Sequence, residues 1–203
     1  MSADDKIAVV IAAHNAERTL ALAIASALAA PEVAEVCVAD DASTDGTAEL
    51  VESWAARDGR VTLIRQATNQ GPSAARNAAI AATRAPWIAI LDADDYLLPA
   101  RFATLMQNAG DADFIADALI RVVEGQTATT VSEHFSPQSL NFEGFVVGNL
   151  GAQTGQLDLG FLKPVFRRSF LENHAMTYRK DMRLGEDYEL YGRALLHLSL
   201  IHI

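Results

Sequence analysis

Four short apolar runs alternate with stretches of helical spacing between residues 7 and 91, and that alternation leaves few folds open. Ile7–Ala13 reads IAVVIAA, a continuous apolar run of the kind found in strands covered on both faces. Runs at 33–39, 61–65 and 87–91 repeat the signal. Between the first two, Leu20, Ile24 and Leu28 recur every four residues, with Asn15 placed to cap a helix over 16–30 and Pro31 to end it. A second helix is expected from Thr44 or Asp45 to Arg57, with Leu50, Val51 and Trp54 inward. A third should start at Pro72, since proline suits a first helical turn, and run to about Thr83. Strands and helices in this order give right-handed crossovers and a mostly parallel α/β sheet with helices on both faces. Such a sheet binds its ligands beyond the carboxyl ends of its strands.

The second half is less legible. A helix over 101–108, a strand over 114–123 and helical segments after 170, including 186–198, are expected, while 125–159 has few signals. Of 37 alanines, 33 lie in residues 1–120. That stretch is acidic, whereas 161–203 holds 5 acids against 7 bases. No Pro/Gly/Ser-rich linker divides them, so 1–203 reads as one domain with two functional halves, 1–120 and 121–203.

The net charge of −10 opposes sequence-independent nucleic-acid binding, which needs Lys and Arg against phosphates. One cysteine, Cys37, excludes an internal disulfide and fits a reducing compartment. No apolar run approaches the roughly 18 residues of a membrane span, and Asp4 and Asp5 stand where a signal peptide would be positive.

Two strands end in the same tripeptide, Ala39-Asp40-Asp41 and Ala93-Asp94-Asp95, the second preceded by Asp92. Three carboxylates within four residues repel unless a cation sits among them, and Mg²⁺ or Mn²⁺ prefers oxygen ligands. Solvated aspartate turns would read the same way, but these clusters fall at the ligand edge of the sheet. Asn69-Gln70-Gly71-Pro72 leads into a helix N-terminus, which favours an anion, with Arg76 one turn in. Gly185-Glu186-Asp187 precedes an apolar helix, either as a capping arrangement or as a carboxylate placed for base catalysis.

Together these segments resemble glycosyltransferase family 2, the inverting nucleotide-sugar transferases of the GT-A fold. The matching stretches are IAVVIAAHNAERTL at 7–20, VADDASTDGT at 38–47, NQGPSAARN at 69–77 and ILDADDYLLP at 90–99, in the family's order. KPVFRRSFL at 163–171 and GEDYEL at 185–190 resemble its acceptor-half motifs. The wording is closest to bacterial exopolysaccharide transferases of the succinoglycan type. Ala12, His14 and Ala42 depart from the family's usual Pro, Tyr and Gly. The chain ends 16 residues after Asp187, where family members usually continue, which raises a shortened acceptor half as an alternative.

The resemblance implies transfer of a sugar from a UDP-sugar to a saccharide or lipid-linked acceptor, with Mg²⁺ or Mn²⁺. It implies nucleotide contacts from Ala12, Ala13, His14, Glu17 and Asp41, and diphosphate contacts from Gly71 and Arg76. Asp92 would face the ribose or a metal-bound water, Asp94 would ligate the metal, and Asp187 would be the general base. Lys163, Arg167 and Arg168 are candidates for phosphate contacts or for a solvated basic face. A cytoplasmic protein is expected, peripheral on the inner membrane face if its acceptor is lipid-linked. A nucleotidyltransferase of related fold and an inactive nucleotide-binding fragment remain alternatives. A Rossmann dehydrogenase is disfavoured because no G-x-G-x-x-G follows the first strand.

Overall fold

The structure is a computed structural model that describes residues 5–117, 119–120, 139–150, 159–198 and 201–202. Strands β1 (Ile7–Ala13), β2 (Val33–Asp40), β3 (Val61–Arg65) and β4 (Trp87–Asp92) alternate with helices α1 (Leu20–Leu28), α2 (Thr47–Ala55) and α3 (Pro72–Ala82). After β4 come α4 (Arg101–Ala109), β5 (Phe114–Ile115), β6 (Ser139–Leu140), α5 (Phe142–Leu150), a 3-10 turn at Leu159–Phe161, β7 (Val165–Arg167), α6 (Arg168–Asn173), α7 (Glu186–His197) and β8 (Ile201–His202). The sheet order is β3-β2-β1-β4-β7-β5-β8-β6. The first four strands are parallel, as the alternation required. β7 then runs antiparallel to both β4 and β5, so the second half is mixed.

Strand β1 shows why the sheet is covered twice. Its alternate residues Ile7, Val9 and Ile11 join a core with Leu20, Ala23, Ile24 and Ala27 of α1, Val51 of α2 and Phe102 of α4. Val10 points the other way, into a core with Ala75 and Ala79 of α3, Phe166 of β7 and Leu190 and Tyr191 of α7. Side chains alternate faces along a strand, so one apolar run feeds both layers. At about 25 cal/mol per Å² of apolar surface, burying each full-size aliphatic of this kind is worth roughly 1.5–3 kcal/mol.

Several expectations shift. The first helix begins at Leu20 rather than 16, and Asn15 is not its cap. Asn15 sits at φ 52°, and its amide oxygen accepts the Thr44 N–H (2.9 Å), so residues 14–17 are spent on bonds to the next loop. The second helix starts at Thr47, whose N–H is accepted by Asp45 (3.0 Å). Pro72 opens α3 as expected. The strand expected over 114–123 is two residues long, and its stretch from 121 lies outside the described residues. Trp87 is core, Trp54 is half-buried against it, and Leu28 is only partly covered.

Candidate active site

The register brings two acidic strand ends together across β1. Ala12 pairs with Asp92 of β4, and Ala13 with Asp40 of β2. The loop after β1 is bonded to the loop after β2. Asn15 N–H donates to Ser43 Oγ (2.9 Å), Ala16 N–H to Thr47 Oγ1 (2.8 Å), and Glu17 Oε2 accepts from Gly46 N–H (2.7 Å). A Cβ on Gly46 would lie 2.9 Å from that Glu17 oxygen, so a larger residue there would have to displace the Glu17 carboxylate. His14 Nδ1–H donates to the Asp41 carbonyl (2.8 Å), and its ring stays exposed.

Asp41 is buried, and its two carboxylate oxygens accept the backbone N–H groups of Gln70 (2.7 Å) and Gly71 (2.8 Å). The acidic end of β2 thereby fixes the turn that starts α3. Gly71 takes φ 89°, a value that needs glycine, and presents α3 at the same edge as Asp92.

One turn into α3, Arg76 is buried and faces three carboxylates. It donates to Asp92 Oδ1 (2.9 Å) and Glu186 Oε1 (2.9 Å) and lies 3.5 Å from Asp187 Oδ1. Lys163, also buried, holds the other Asp92 oxygen at 2.5 Å. The Lys163 main chain is itself tied by Arg101, which donates to its carbonyl and forks onto Asp117. Two cations therefore bracket Asp92. Burial alone would push its carboxyl up, but Lys163 and Arg76 outweigh that and hold it below the usual range. Asp187 goes the other way: burial raises it, with Arg76 and Lys163 pulling only partly back.

Asp92, Asp94 and Asp95 place carboxylate oxygens within 4.8 Å of one another. Burial, then the charges of Asp92 and Asp94, pushes the Asp95 carboxyl up, so the cluster is electrostatically loaded in favour of a cation. Asp94 and Asp95 are exposed and uncommitted to any described cation, whereas Asp92 has both oxygens engaged. The donor set, all carboxylate oxygen, fits a hard divalent ion.

The geometry thus joins Ala12, Ala13, Arg76, Asp92, Asp94 and Asp187 along one edge, with His14, Glu17, Asp41 and Gly71 around it. Arg167 and Arg168 are elsewhere. Arg167 covers the Trp87 ring at 4.4 Å and pairs with Asp113, and Arg168 bonds Ala85 O, Ile80 O and Thr83 Oγ1 at the end of α3. Three residues had no assigned role in the sequence. Glu186 shares Arg76. Asn77 clamps the main chain of Tyr178, donating to its carbonyl (2.8 Å) and accepting its N–H (2.9 Å). The signal was present in the spacing, since Ser73, Arg76 and Asn77 share one helix face, and Ser73 Oγ reaches Met182 O (3.4 Å).

An open α/β sheet whose carboxyl edge carries a loaded aspartate cluster and a buried acid from its second half has the organisation of the GT-A sugar-nucleotide transferases. The chain belongs to glycosyl transferase family 2, whose family model matches residues 8–173. It is 44% identical over 201 residues to the succinoglycan biosynthesis protein ExoU of Rhizobium meliloti strain 1021, covering 96% of this chain and 58% of that protein. It is 39% identical over 192 residues to ExoO of the same organism, covering 92% and 54%. The chain thus spans a little over half the length of these relatives. Among solved structures it resembles S. aureus TarS 1–349 (TM-score 0.77, 19% identity, 97% of this chain and 57% of that one) and its complex with UDP-GlcNAc (0.76, 20%, 97% and 55%). The mannosyltransferase PcManGT from Pyrobaculum calidifontis, in complex with GDP-Man and Mn²⁺, follows at TM-score 0.63, 17% identity and 90% and 50% coverage. At these identities the likeness speaks for the fold. Among the described residues no helix is long and apolar enough to cross a membrane.

Proposed function

We propose that this chain is an inverting glycosyltransferase domain that moves a sugar from a UDP-sugar to a saccharide or lipid-linked saccharide in bacterial polysaccharide synthesis. The observation that carries it is the Arg76 bridge, which couples the Asp92 strand end to Asp187, 111 positions beyond Arg76 in the chain. Residues 1–120 would bind the donor and 121–203 the acceptor, as one catalytic unit. The UDP complexes of TarS and the polysaccharide role in the names of ExoU and ExoO support the choice of substrates.

In this reading the Ala12–Ala13 main chain, His14, Glu17 and Asp41 surround the nucleotide. Asp94 and Asp95, with Asp92 behind them, would hold Mg²⁺ or Mn²⁺, which neutralises charge on the departing diphosphate. Arg76 is committed to carboxylates, so we assign it to fixing Asp92 and Asp187 rather than to the diphosphate. Arg183 replaces it there: it is exposed, and a Cβ on Gly71 would lie 3.9 Å from its Nη1. Asp187 takes the proton of the acceptor hydroxyl as that oxygen bonds to the anomeric carbon and the carbon–diphosphate bond breaks, inverting the centre. Its raised pKa makes it a better proton acceptor than an exposed aspartate. The loop with Lys180 and the highly exposed Leu184 is our candidate for contact with the cytoplasmic membrane face.

Asp187→Asn tests the assignment. Mn²⁺-dependent turnover of a UDP-sugar should fall by about 10²–10⁴ while UDP affinity stays within twofold. Full activity in the variant refutes the base.

A further inference from the structure

We propose that Tyr178 is a positioning residue for Asp187, with its hydroxyl donating to Oδ1, and that Asn77 sets its place. The inference rests on the reading of Asp187 as the base. Four observations lead to it.

First, the Tyr178 side chain is fully buried, yet its hydroxyl has no partner at full hydrogen-bond geometry. Asp187 Oδ1 is the other buried oxygen of this region in the same condition. An orphaned buried polar atom costs about 1–3 kcal/mol. Arg76 Nε is orphaned here too, but its N–H is fixed in the guanidinium plane, whereas the Tyr178 O–H rotates to suit an acceptor. Second, both groups flank one guanidinium, Asp187 Oδ1 at 3.5 Å from Arg76 Nη1 and the Tyr178 ring centroid at 5.2 Å from its Cζ. Burial, then the Asp187 charge, holds the phenol well above its ordinary pKa, which keeps Tyr178 a donor at every working pH. Third, the competing cation is not a close donor. Arg76 Nη1 donates to Glu186 Oε1 at 2.9 Å and stands 3.5 Å from Asp187 Oδ1, so it reaches Asp187 as a neighbouring charge. Fourth, Tyr178 is held from below and above: Asn77 makes its two main-chain bonds, and the Arg76 guanidinium lies 5.2 Å from its ring centroid.

The consequence is directional. Asp187 keeps 15% of its side-chain surface exposed, and Oδ1 contributes almost none of it. Fixing Oδ1 with a phenol turns Oδ2 toward the cleft, where an acceptor proton would arrive. One face of α3 then sets both the charge and the aim of the base, through Arg76 and through Asn77 with Tyr178.

The test compares wild type, Tyr178→Phe, Asn77→Ala and Asp187→Asn. Proton NMR of the whole chain should show one slowly exchanging downfield hydroxyl resonance, absent in Tyr178→Phe and shifted or lost in Asp187→Asn. Turnover of UDP-GlcNAc or UDP-glucose with Mn²⁺ should fall about ten- to a hundredfold in Tyr178→Phe, the scale of a misaimed catalytic group. UDP affinity by calorimetry should stay within twofold, and Asn77→Ala should reproduce the loss. Wild-type turnover in Tyr178→Phe, or a hydroxyl resonance indifferent to Asp187→Asn, overturns the proposal. If Asp187→Asn itself remains active, the base assignment falls instead, while the resonance still reports whether the contact exists.

Discussion

Arg76→Met is the sharpest probe of this site, because it removes the cation and keeps most of the volume. Arg76 is 5% exposed and bonded to two carboxylates, with a third at 3.5 Å. Breaking a buried pair by removing one partner costs about 3–5 kcal/mol, since it leaves an uncompensated charge. Asp92 would still have Lys163 and is 29% exposed, so its share is small. Glu186 and Asp187, at 12% and 15% side-chain exposure, would lose their closest cation. The expected loss is therefore about 3 kcal/mol at pH 8, near the lower end of that range. For a domain of this size that is roughly 6–12 °C in Tm.

The deficit should depend on pH, and its sign follows from linkage. Asp187 already has a raised folded pKa, and the variant removes the cation that restrains the rise. A carboxyl raised on folding disfavours the folded state above its folded pKa, and the penalty fades as pH falls through that value. Asp92 in the wild type is lowered, so the stability it adds is complete above its unfolded pKa and is lost as pH falls through its folded one. The Asp187 trend narrows the gap as pH falls toward its raised folded pKa, whereas the Asp92 trend sets in only below the ordinary aspartate pKa of about 3.9 and leaves pH 5.5 untouched. Urea unfolding followed by tryptophan fluorescence at pH 8 and pH 5.5 reads it. A loss under about 1 kcal/mol at pH 8, or a gap that widens toward pH 5.5, refutes the charge account. Arg76→Lys should fall between the two, because an ammonium cannot fork across two carboxylates.

Ala42 sits at φ 56°, where a Cβ costs about 1–2 kcal/mol, so Ala42→Gly should leave Tm unchanged or raise it by a few degrees despite glycine's greater unfolded entropy. Burial pushes the Cys37 thiol up to about 11, so it should resist a thiol reagent at pH 8 in the folded protein and react fully in urea. Asp94→Asn should weaken Mn²⁺ binding by calorimetry at least tenfold with less than 1 kcal/mol change in stability, since its carboxylate is exposed and meets no described cation.

Much of the fold was legible because its signal is local. Ile7–Ala13 needed only its continuous apolar character to be read as a doubly covered strand, and Pro72 only its fixed φ to mark the start of α3. The Asp92-Ala93-Asp94-Asp95 run was legible for the same reason, since repulsion between neighbours in sequence needs no fold to predict it. Where tertiary bonds competed with local preference, the reading slipped. Asn15 has the chemistry of a helix cap, but its side chain is used by Thr44, 29 residues away. Strand β7 ran antiparallel because it returns from the second half to pair with β4, a choice no three-residue stretch encodes.

The sequence by itself determined the layered sheet, its ligand edge and the presence of an acid cluster there, all consequences of side-chain period and neighbouring charge. Only the tertiary structure decided what each charge is for. Lys163, Arg167 and Arg168 are alike in composition and nearly adjacent, yet one neutralises Asp92 while the others lock β7 to β4 and α3. Arg76, for which the family resemblance implied a diphosphate contact, is enclosed by three carboxylates, two of them 110 and 111 positions further along the chain. The physical reason is range. Apolar periodicity is written in consecutive residues, whereas the partner of a buried charge is set by where the chain returns.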